Sequence, residues 1–478
     1  MAKQKGMITM TEKDLFEKLS YKRKDAYEQM SPEQVREMLD MCDEYRTFLD
    51  EGKTERECIS LAEKMAIENS FRPLEEFDSL KPGDRVYCIN RDKNILLAVI
   101  GEAGLEQGVN LVGAHVDSPR LDLKPNPLYE ACDMALFKTH YYGGIKKYQW
   151  TAIPLALHGV VYTKSGEKIE ICIGEKDTDP VFCVTDLLPH LAKDQMSKKM
   201  TEGIEGEALN ILIGGIGAKA EGVSEPVKYK ILSILNTLYG ISEADFMRAE
   251  LEAVPAFKAR NVGLDESFVG AYGQDDRVCA FTTLKGILGM NETPHRTAVA
   301  LLVDKEEIGS VGNTGMLSRF FEMALAEMLE KEIGSYSITA FNRMIRNSAC
   351  LSSDVGAAVD PSYEGVNDKL NAAYAGKGIL LMKYTGSRGK SGASDASAEF
   401  MQEIISILDA GQVVWQTGEL GKVDQGGGGT IAMYVGNLNM DVIDCGVPVL
   451  SMHAPFEVTA KTDIYMAYRA YCAFYKLR

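Results

Sequence analysis

The sequence predicts an α/β fold, a sheet with helices packed on its faces, and three observations carry the prediction. Continuous apolar runs, among them Ile95 to Ile100, Val109 to Ala114 and Val299-Ala300-Leu301-Leu302-Val303, read as buried strands. From about residue 261 such runs alternate with amphipathic helical patterns, the mark of a sheet covered by helices. A chain of 478 residues with 45% hydrophobic and 25% charged side chains can also bury a large core. It should form more than one domain, or one domain with a large insertion.

In chain order, the first 75 residues are helical and charged. Ser31-Pro32-Glu33-Gln34 supplies a cap, a proline at the first helical position and a glutamine at the third. Thr54-Glu55-Arg56-Glu57 repeats the capping box ahead of Ile59, Leu61, Ala62 and Met65. Between about 150 and 260 the pattern changes. Leu155 to Val161 and Lys168 to Ile173 flank Thr163-Lys164-Ser165-Gly166, a hairpin signature, and a glycine-bearing stretch, Lys198 to Gly222, follows. This block reads as an antiparallel, β-rich insertion.

Composition excludes several functions. A net charge of −17 argues against a nucleic-acid binder, which needs a basic footprint. No run approaches the ~20 apolar residues of a membrane span, and Met1 to Met7 has no long apolar stretch behind it, so no secretory signal is expected. The ten cysteines are scattered without paired CxxC spacing, as in a reduced, cytoplasmic protein without a cysteine zinc site.

Open α/β sheets bind ligands beyond the carboxyl ends of their strands. His115 follows Val109 to Ala114, Glu306 and Glu307 follow Val299 to Val303, Asp354 follows Ser348 to Ser353, and His453 follows Val447 to Met452. Asp275-Asp276 opens the apolar helix Val278 to Leu288. These are ligand types that zinc or a similar ion accepts. Each has a plainer reading: a structural histidine, a helix cap at Asp275-Asp276 or Ser352-Ser353-Asp354, a solvated acidic turn at Glu306-Glu307. The coincidence of all five points to a metal centre. Of two adjacent carboxylates, one can bind a metal while the other moves a proton, the division that hydrolysis at a metal needs. A charge count favours two ions. Their four positive charges match a bridging carboxylate, a terminal carboxylate on each ion and a shared hydroxide, with two neutral histidines completing the set. Asp117, two residues after His115, is placed to orient that imidazole.

His115-Val116-Asp117-Ser118-Pro119, Asp275-Asp276-Arg277, Asp304-Lys305-Glu306-Glu307-Ile308-Gly309-Ser310, Ser352-Ser353-Asp354 and Ser451-Met452-His453 occur in one order along the chain. In that order the chain resembles the aspartyl-aminopeptidase family of dinuclear-zinc metallopeptidases, in its bacterial form. The resemblance implies a zinc-exopeptidase-like mixed sheet flanked by helices. The peptidase domain would be split between residues 1–130 and 261–478 by an inserted β-rich dimerisation domain at 131–260. It also implies a metal-dependent aminopeptidase acting on peptides, with two divalent ions per subunit, zinc ahead of cobalt or manganese.

By the same resemblance Asp275 bridges the ions, since family members retain the first acid and vary the second. His115 and Asp354 complete one site, and Glu307 and His453 the other. Glu306 is the general base for a hydroxide shared by the ions. A homo-oligomer, up to a tetrahedral dodecamer, is implied, with no nucleic-acid or membrane partner. His190, in Leu188-Pro189-His190-Leu191-Ala192, would reach a neighbouring subunit's active site and stabilise the tetrahedral intermediate; otherwise it is a surface histidine. Specificity is where the chain departs from the family: Asp360 stands in a stretch where eukaryotic members carry a histidine. An acidic substrate side chain needs a cation, for which Lys383 and Arg388 are candidates, and Gly426 to Gly429 is a candidate source of backbone amides. The alternatives are a related dinuclear hydrolase, such as a deblocking aminopeptidase or amidohydrolase, and a non-catalytic shell protein.

Overall fold

Strands that are apolar at every position must be covered on both faces, and here they form the middle of a nine-stranded mixed sheet. The computed structural model describes residues 11–478, so the Met1 to Met7 stretch lies outside the described residues. Across the sheet the order is Arg72–Pro73, Arg85–Asn90, Asn94–Val99, Thr297–Val303, Val109–His115, Ala349–Ser352, Asp441–Gly446, Ile379–Met382 and Trp415–Thr417. The four central strands, from Thr297–Val303 to Asp441–Gly446, run parallel. Asn94–Val99 and Ile379–Met382 join them antiparallel. Successive side chains point to opposite faces. Ala298, Ala300 and Leu302 pack with the helices Pro32–Glu51, Gln274–Leu288 and Lys461–Leu477. Val299, Leu301 and Val303 pack with Phe320–Ile333 and Ile338–Asn347 on the other face.

A second, wholly antiparallel sheet of seven strands runs from Arg120–Ala131 to Ala249–Pro255, with its own core around Phe137, Trp150 and Phe246. Within it Leu155–Tyr162 and Lys168–Ile173 form the expected hairpin, Leu157 opposite Ile173. The run before His453 is not, as the sequence suggested, a further strand of the large sheet. Pro448–Leu450 belongs to a separate five-stranded sheet with Glu457–Ala460, Gly356–Ala357, Phe268–Ala271 and Arg260–Val262. All ten cysteines are free. Among the described residues no helix is long and apolar enough to cross a membrane.

Both capping boxes form, at Ser31 and at Thr54. Glu57 of the second also ties its helix, Glu55–Glu68, to the seven-stranded sheet. Its Oε2 accepts the Lys53 and Thr54 amides, and its Oε1 lies 2.7 Å from Nδ1 of buried His158, on the Leu155–Tyr162 strand. Nε2 of His158 is 3.1 Å from Glu175, which also pairs with Lys53 and Lys258. Burial works to lower the His158 pKa, but its hydrogen bonds to Cys172, Glu175 and Glu57 prevail and raise it to about 11, from an ordinary 6.5. The stability contributed by this imidazolium is therefore complete below pH 6.5 and lost as pH rises through about 11. Breaking one partner out of a buried pair costs about 3 kcal/mol. His158→Gln should thus destabilise by about that much at pH 6 and by clearly less at pH 10. Denaturant unfolding at the two pH values checks this; a constant difference contradicts it.

Candidate metal centre

The parallel register brings three chain segments to one edge of the sheet. Val303 is level with His115, and Ser352 with Gly113. Beyond Val303, Lys305 (φ +68°) and Gly309 (φ +96°) bound a single 3-10 turn, Glu306–Ile308. That turn frees the two glutamates from the alternate-face geometry of a strand. Asp354 lies two residues past Ala349–Ser352, and no helix follows for it to cap, because the chain enters the Gly356–Ala357 strand. Asp275 sits at the start of Gln274–Leu288 with φ −80° and ψ 105°, outside helical geometry, and neither it nor Asp276 caps the helix. His453, at φ +62°, occupies the turn between Pro448–Leu450 and Glu457–Ala460.

These residues converge on Asp275. Its Oδ1 is 3.2 Å from Nε2 of His115, and its Oδ2 is 3.2 Å from Nε2 of His453. The second imidazole is also 3.4 Å from Glu307 Oε1. His115 Nε2 lies 3.9 Å from Asp354 Oδ1 and 4.0 Å from Glu306 Oε2. Ligand atoms of His115, Asp275 and Glu307 fall within 4.8 Å of one another, as do those of His115, Asp276 and Asp354. Nδ1 of each histidine faces a backbone carbonyl, Asp117 O at 3.0 Å for His115 and Gly144 O at 2.8 Å for His453. A proton on Nδ1 satisfies that carbonyl and leaves the Nε2 lone pair aimed at the centre, the tautomer a metal ligand requires.

The electrostatics point the same way. Burial, with the charges of Asp117 and Asp275 nearby, lifts the Glu306 carboxyl to about 7. Burial lifts Glu307 and Asp354 well above the carboxylate range, reinforced by Asp275 and Asp276 respectively. Burial works to lower His453, but Asp275 and Glu307 prevail and raise it to about 10. Glu307 Oε1 and Asp276 Oδ1 are buried without a hydrogen-bond partner. So many carboxylates in one largely buried cluster demand a compensating cation, and the N and O donors suit zinc.

Three buried acids hold the backbone of this cluster. Asp117 accepts the amides of Glu306 on Oδ1 and Glu307 on Oδ2, each at 3.1 Å, and also the Tyr142 hydroxyl at 2.8 Å. Asp276 accepts the His115 amide. Glu457 accepts the Asp275 amide at 2.9 Å and the His453 amide at 2.7 Å. Glu457 and Tyr142 escaped the sequence reading. The first left one signal, an acid opening the Glu457–Ala460 strand four residues after His453; Tyr142 left none. His190 is exposed in the turn before Lys193–Ser197 and is not among the residues lining the cavity of this centre.

Asp275, Glu306, Glu307, Asp354 and His453 open onto a cavity of about 410 Å³. Gly427 to Gly429 form part of its wall, Gly427–Gly428 being a short strand paired with Gly386–Ser387. Lys383 and Arg388 do not line it. Lys383 donates to Asp395 and to the Ala396 carbonyl, both at 2.8 Å, and Arg388 lines a neighbouring cleft. A larger cleft, about 700 Å³ between Tyr87 and Phe320, holds none of the residues of this centre.

Residues 48–475 match the family described as aminopeptidase I zinc metalloprotease (M18). The chain is 50% identical over 455 residues to a probable M18 family aminopeptidase 1 of Clostridium acetobutylicum, covering 94% of this chain and 97% of the relative. The crystal structure of an M18 family aminopeptidase from Thermotoga maritima superposes with a TM-score of 0.92 at 45% identity, over 96% of this chain and all of that one. The structure of the S. cerevisiae mApe1 dodecamer shares the fold, with a TM-score of 0.73 at 19% identity over 91% and 96% of the two chains.

Proposed function

The chain belongs to the aminopeptidase I zinc metalloprotease (M18) family, and on that premise we propose that it removes N-terminal residues from peptides at two divalent ions, zinc in the first instance. The observation that carries the reading is the Asp275 carboxylate, whose two oxygens face two different imidazoles at 3.2 Å. That is the disposition of a bridging ligand. His115 and Asp354 would hold one ion, and Glu307 and His453 the other. Such ions supply Lewis acidity to the scissile carbonyl and acidify water.

The chain's own residues do the rest. Glu306, which is not needed as a ligand, takes the proton of the attacking water and returns it to the leaving amine. Its side chain is 16% exposed, on the wall of the cavity from which a substrate would approach. Asp117 is a positioning residue: one carboxylate fixes the peptide amides of Glu306 and Glu307 and lies 3.3 Å from His115 Nδ1. Glu457 has the same role towards Asp275 and His453.

We assign residues 131–260 as a dimerisation domain, its first strand reaching back to Arg120, within a homo-oligomer and at its largest a tetrahedral dodecamer. Exposed Leu187, Leu188, Leu191, Met196 and Met200 beside exposed His190 support this, because monomers rarely leave such patches open. His190 would then act in a neighbouring subunit's site. A monomer in sedimentation at micromolar concentration would sink the assembly proposal.

The catalytic reading is tested with peptides that differ only at the N-terminus. Those with a free amine should be hydrolysed, with activity lost to a chelator and restored by zinc, cobalt or manganese. Their N-acetylated forms should survive. Hydrolysis of the acetylated forms instead would favour a deblocking enzyme, and no hydrolysis of either a non-catalytic protein.

A further inference from the structure

One strand of the seven-stranded sheet, Met134–Tyr142, ends against the metal centre. Its last residue and the two that follow reach the supports of both ligand pairs. The Tyr142 hydroxyl donates to Asp117 Oδ2 at 2.8 Å, closer than the Glu306 and Glu307 amides at 3.1 Å. At Gly143 (φ +74°) a Cβ would fall 3.2 Å from Glu307 Oε2, so the backbone passes that glutamate at glycine distance. The Gly144 carbonyl accepts from His453 Nδ1 at 2.8 Å. The Tyr142 ring is itself held in place. The Arg120 guanidinium lies over it, 3.9 Å from the ring centroid, a contact that gains strength when desolvated. Arg120 is buried, paired with Asp122 at 2.8 Å and Glu252 at 3.0 Å in its own sheet. It also faces Glu55 of the Glu55–Glu68 helix at 3.6 Å, and Glu55 pairs in turn with Lys93 at 2.8 Å.

Asp117 keeps the two glutamate amides and the His115 ring in register only while its carboxylate holds one orientation. The terminal torsion of an aspartate is soft. A hydroxyl bonded to an ionised carboxylate is a strong hydrogen bond, and here its donor is an anchored phenol that stiffens the torsion. Tyr142 is not among the described residues that line the cavity, so it does not meet the substrate. We infer that Tyr142 is a positioning residue: its hydroxyl fixes the Asp117 carboxylate, and through it the Glu306–Glu307 turn and His115. The seven-stranded sheet thereby helps to build the centre, in addition to the assembly role proposed above. The inference rests on the two-ion aminopeptidase reading and deepens it.

The test compares Tyr142→Phe with Tyr475→Phe in the full chain. The first keeps the ring beneath Arg120 and removes only the hydroxyl. The second removes a buried hydroxyl bonded to a strand carbonyl, Val299 O at 2.9 Å, rather than to a support of the centre. Zinc affinity is read by competition with a chromophoric chelator. Tyr142→Phe should weaken it by ~10–100-fold, the usual cost of losing such outer support, and Tyr475→Phe should leave it as in the wild type. With zinc saturating, kcat for a free-amine peptide should also fall by ~10-fold in Tyr142→Phe, with KM unchanged. Zinc held by Tyr142→Phe as tightly as by the wild type overturns the inference. So does an equal weakening in Tyr475→Phe, which would mark a general loosening of the fold. A raised KM with kcat retained also overturns it, because Tyr142 would then meet the substrate. If the wild type binds zinc but cleaves no peptide, the aminopeptidase reading fails and the zinc comparison alone decides the role of Tyr142.

Discussion

Glu306→Gln is expected to lower kcat by about 10²–10⁴-fold while leaving bound zinc unchanged. The substitution keeps the shape of the side chain and removes only its ability to take a proton. Glu306 lies at the outer range of the cluster, with Oε2 4.0 Å from His115 Nε2, whereas Glu307 is within 3.4 Å of His453. Its backbone amide is held by Asp117 whichever side chain is present, so the turn should survive. A thousandfold loss corresponds to about 4 kcal/mol of transition-state stabilisation. Metal analysis and steady-state kinetics on the same preparation check it. Wild-type activity in Glu306→Gln, or loss of its zinc, would remove Glu306 from the role of base.

Asp275→Asn should have the opposite signature, with metal and activity lost together. The native carboxylate reaches both imidazoles, and without metal the protonated His115 and His453 hold it below the ordinary range although burial alone would oppose its charge. A neutral amide offers one oxygen and no charge to two cations. Bound metal should fall from two ions to less than one per chain, with peptide turnover at background. Glu457→Gln provides a graded comparison. It touches only the amides of Asp275 and His453, and losing such outer support weakens metal affinity by ~10–100-fold. Native-like circular dichroism in both variants would separate a ligand defect from unfolding. Full metal content in Asp275→Asn would show that this carboxylate is not the bridge.

Much of this architecture is legible in the sequence because its strands are buried on both faces. Val299 to Val303 needs no partner to be recognised, and neither does the paired acid behind it. The capping boxes at Ser31 and Thr54 are equally local, since four consecutive residues contain the whole hydrogen-bond pattern. Tertiary placement is harder. The run before His453 looks like any other buried strand, yet one residue, Val447, separates Asp441–Gly446 in the large sheet from Pro448–Leu450 in the small one. Glu457 shows in the sequence only as an acid in a strand; its role as a support has no sequence signature, because its partners are backbone amides. Lys383 follows the pocket residue Met382 directly, and Asp395 and the Ala396 carbonyl hold it away. Side-chain direction at a strand end is set by such neighbours, not by the local sequence.

The claim at the centre of the account is a pair of ions held by five ligands with Glu306 left free for the proton. It is tested most directly by titrating metal-free protein with zinc while following both binding and aminopeptidase turnover. The account predicts binding that saturates at two equivalents per chain, with activity rising to its maximum only as the second is taken up. Full activity at one equivalent, or turnover by the metal-free protein, would contradict it.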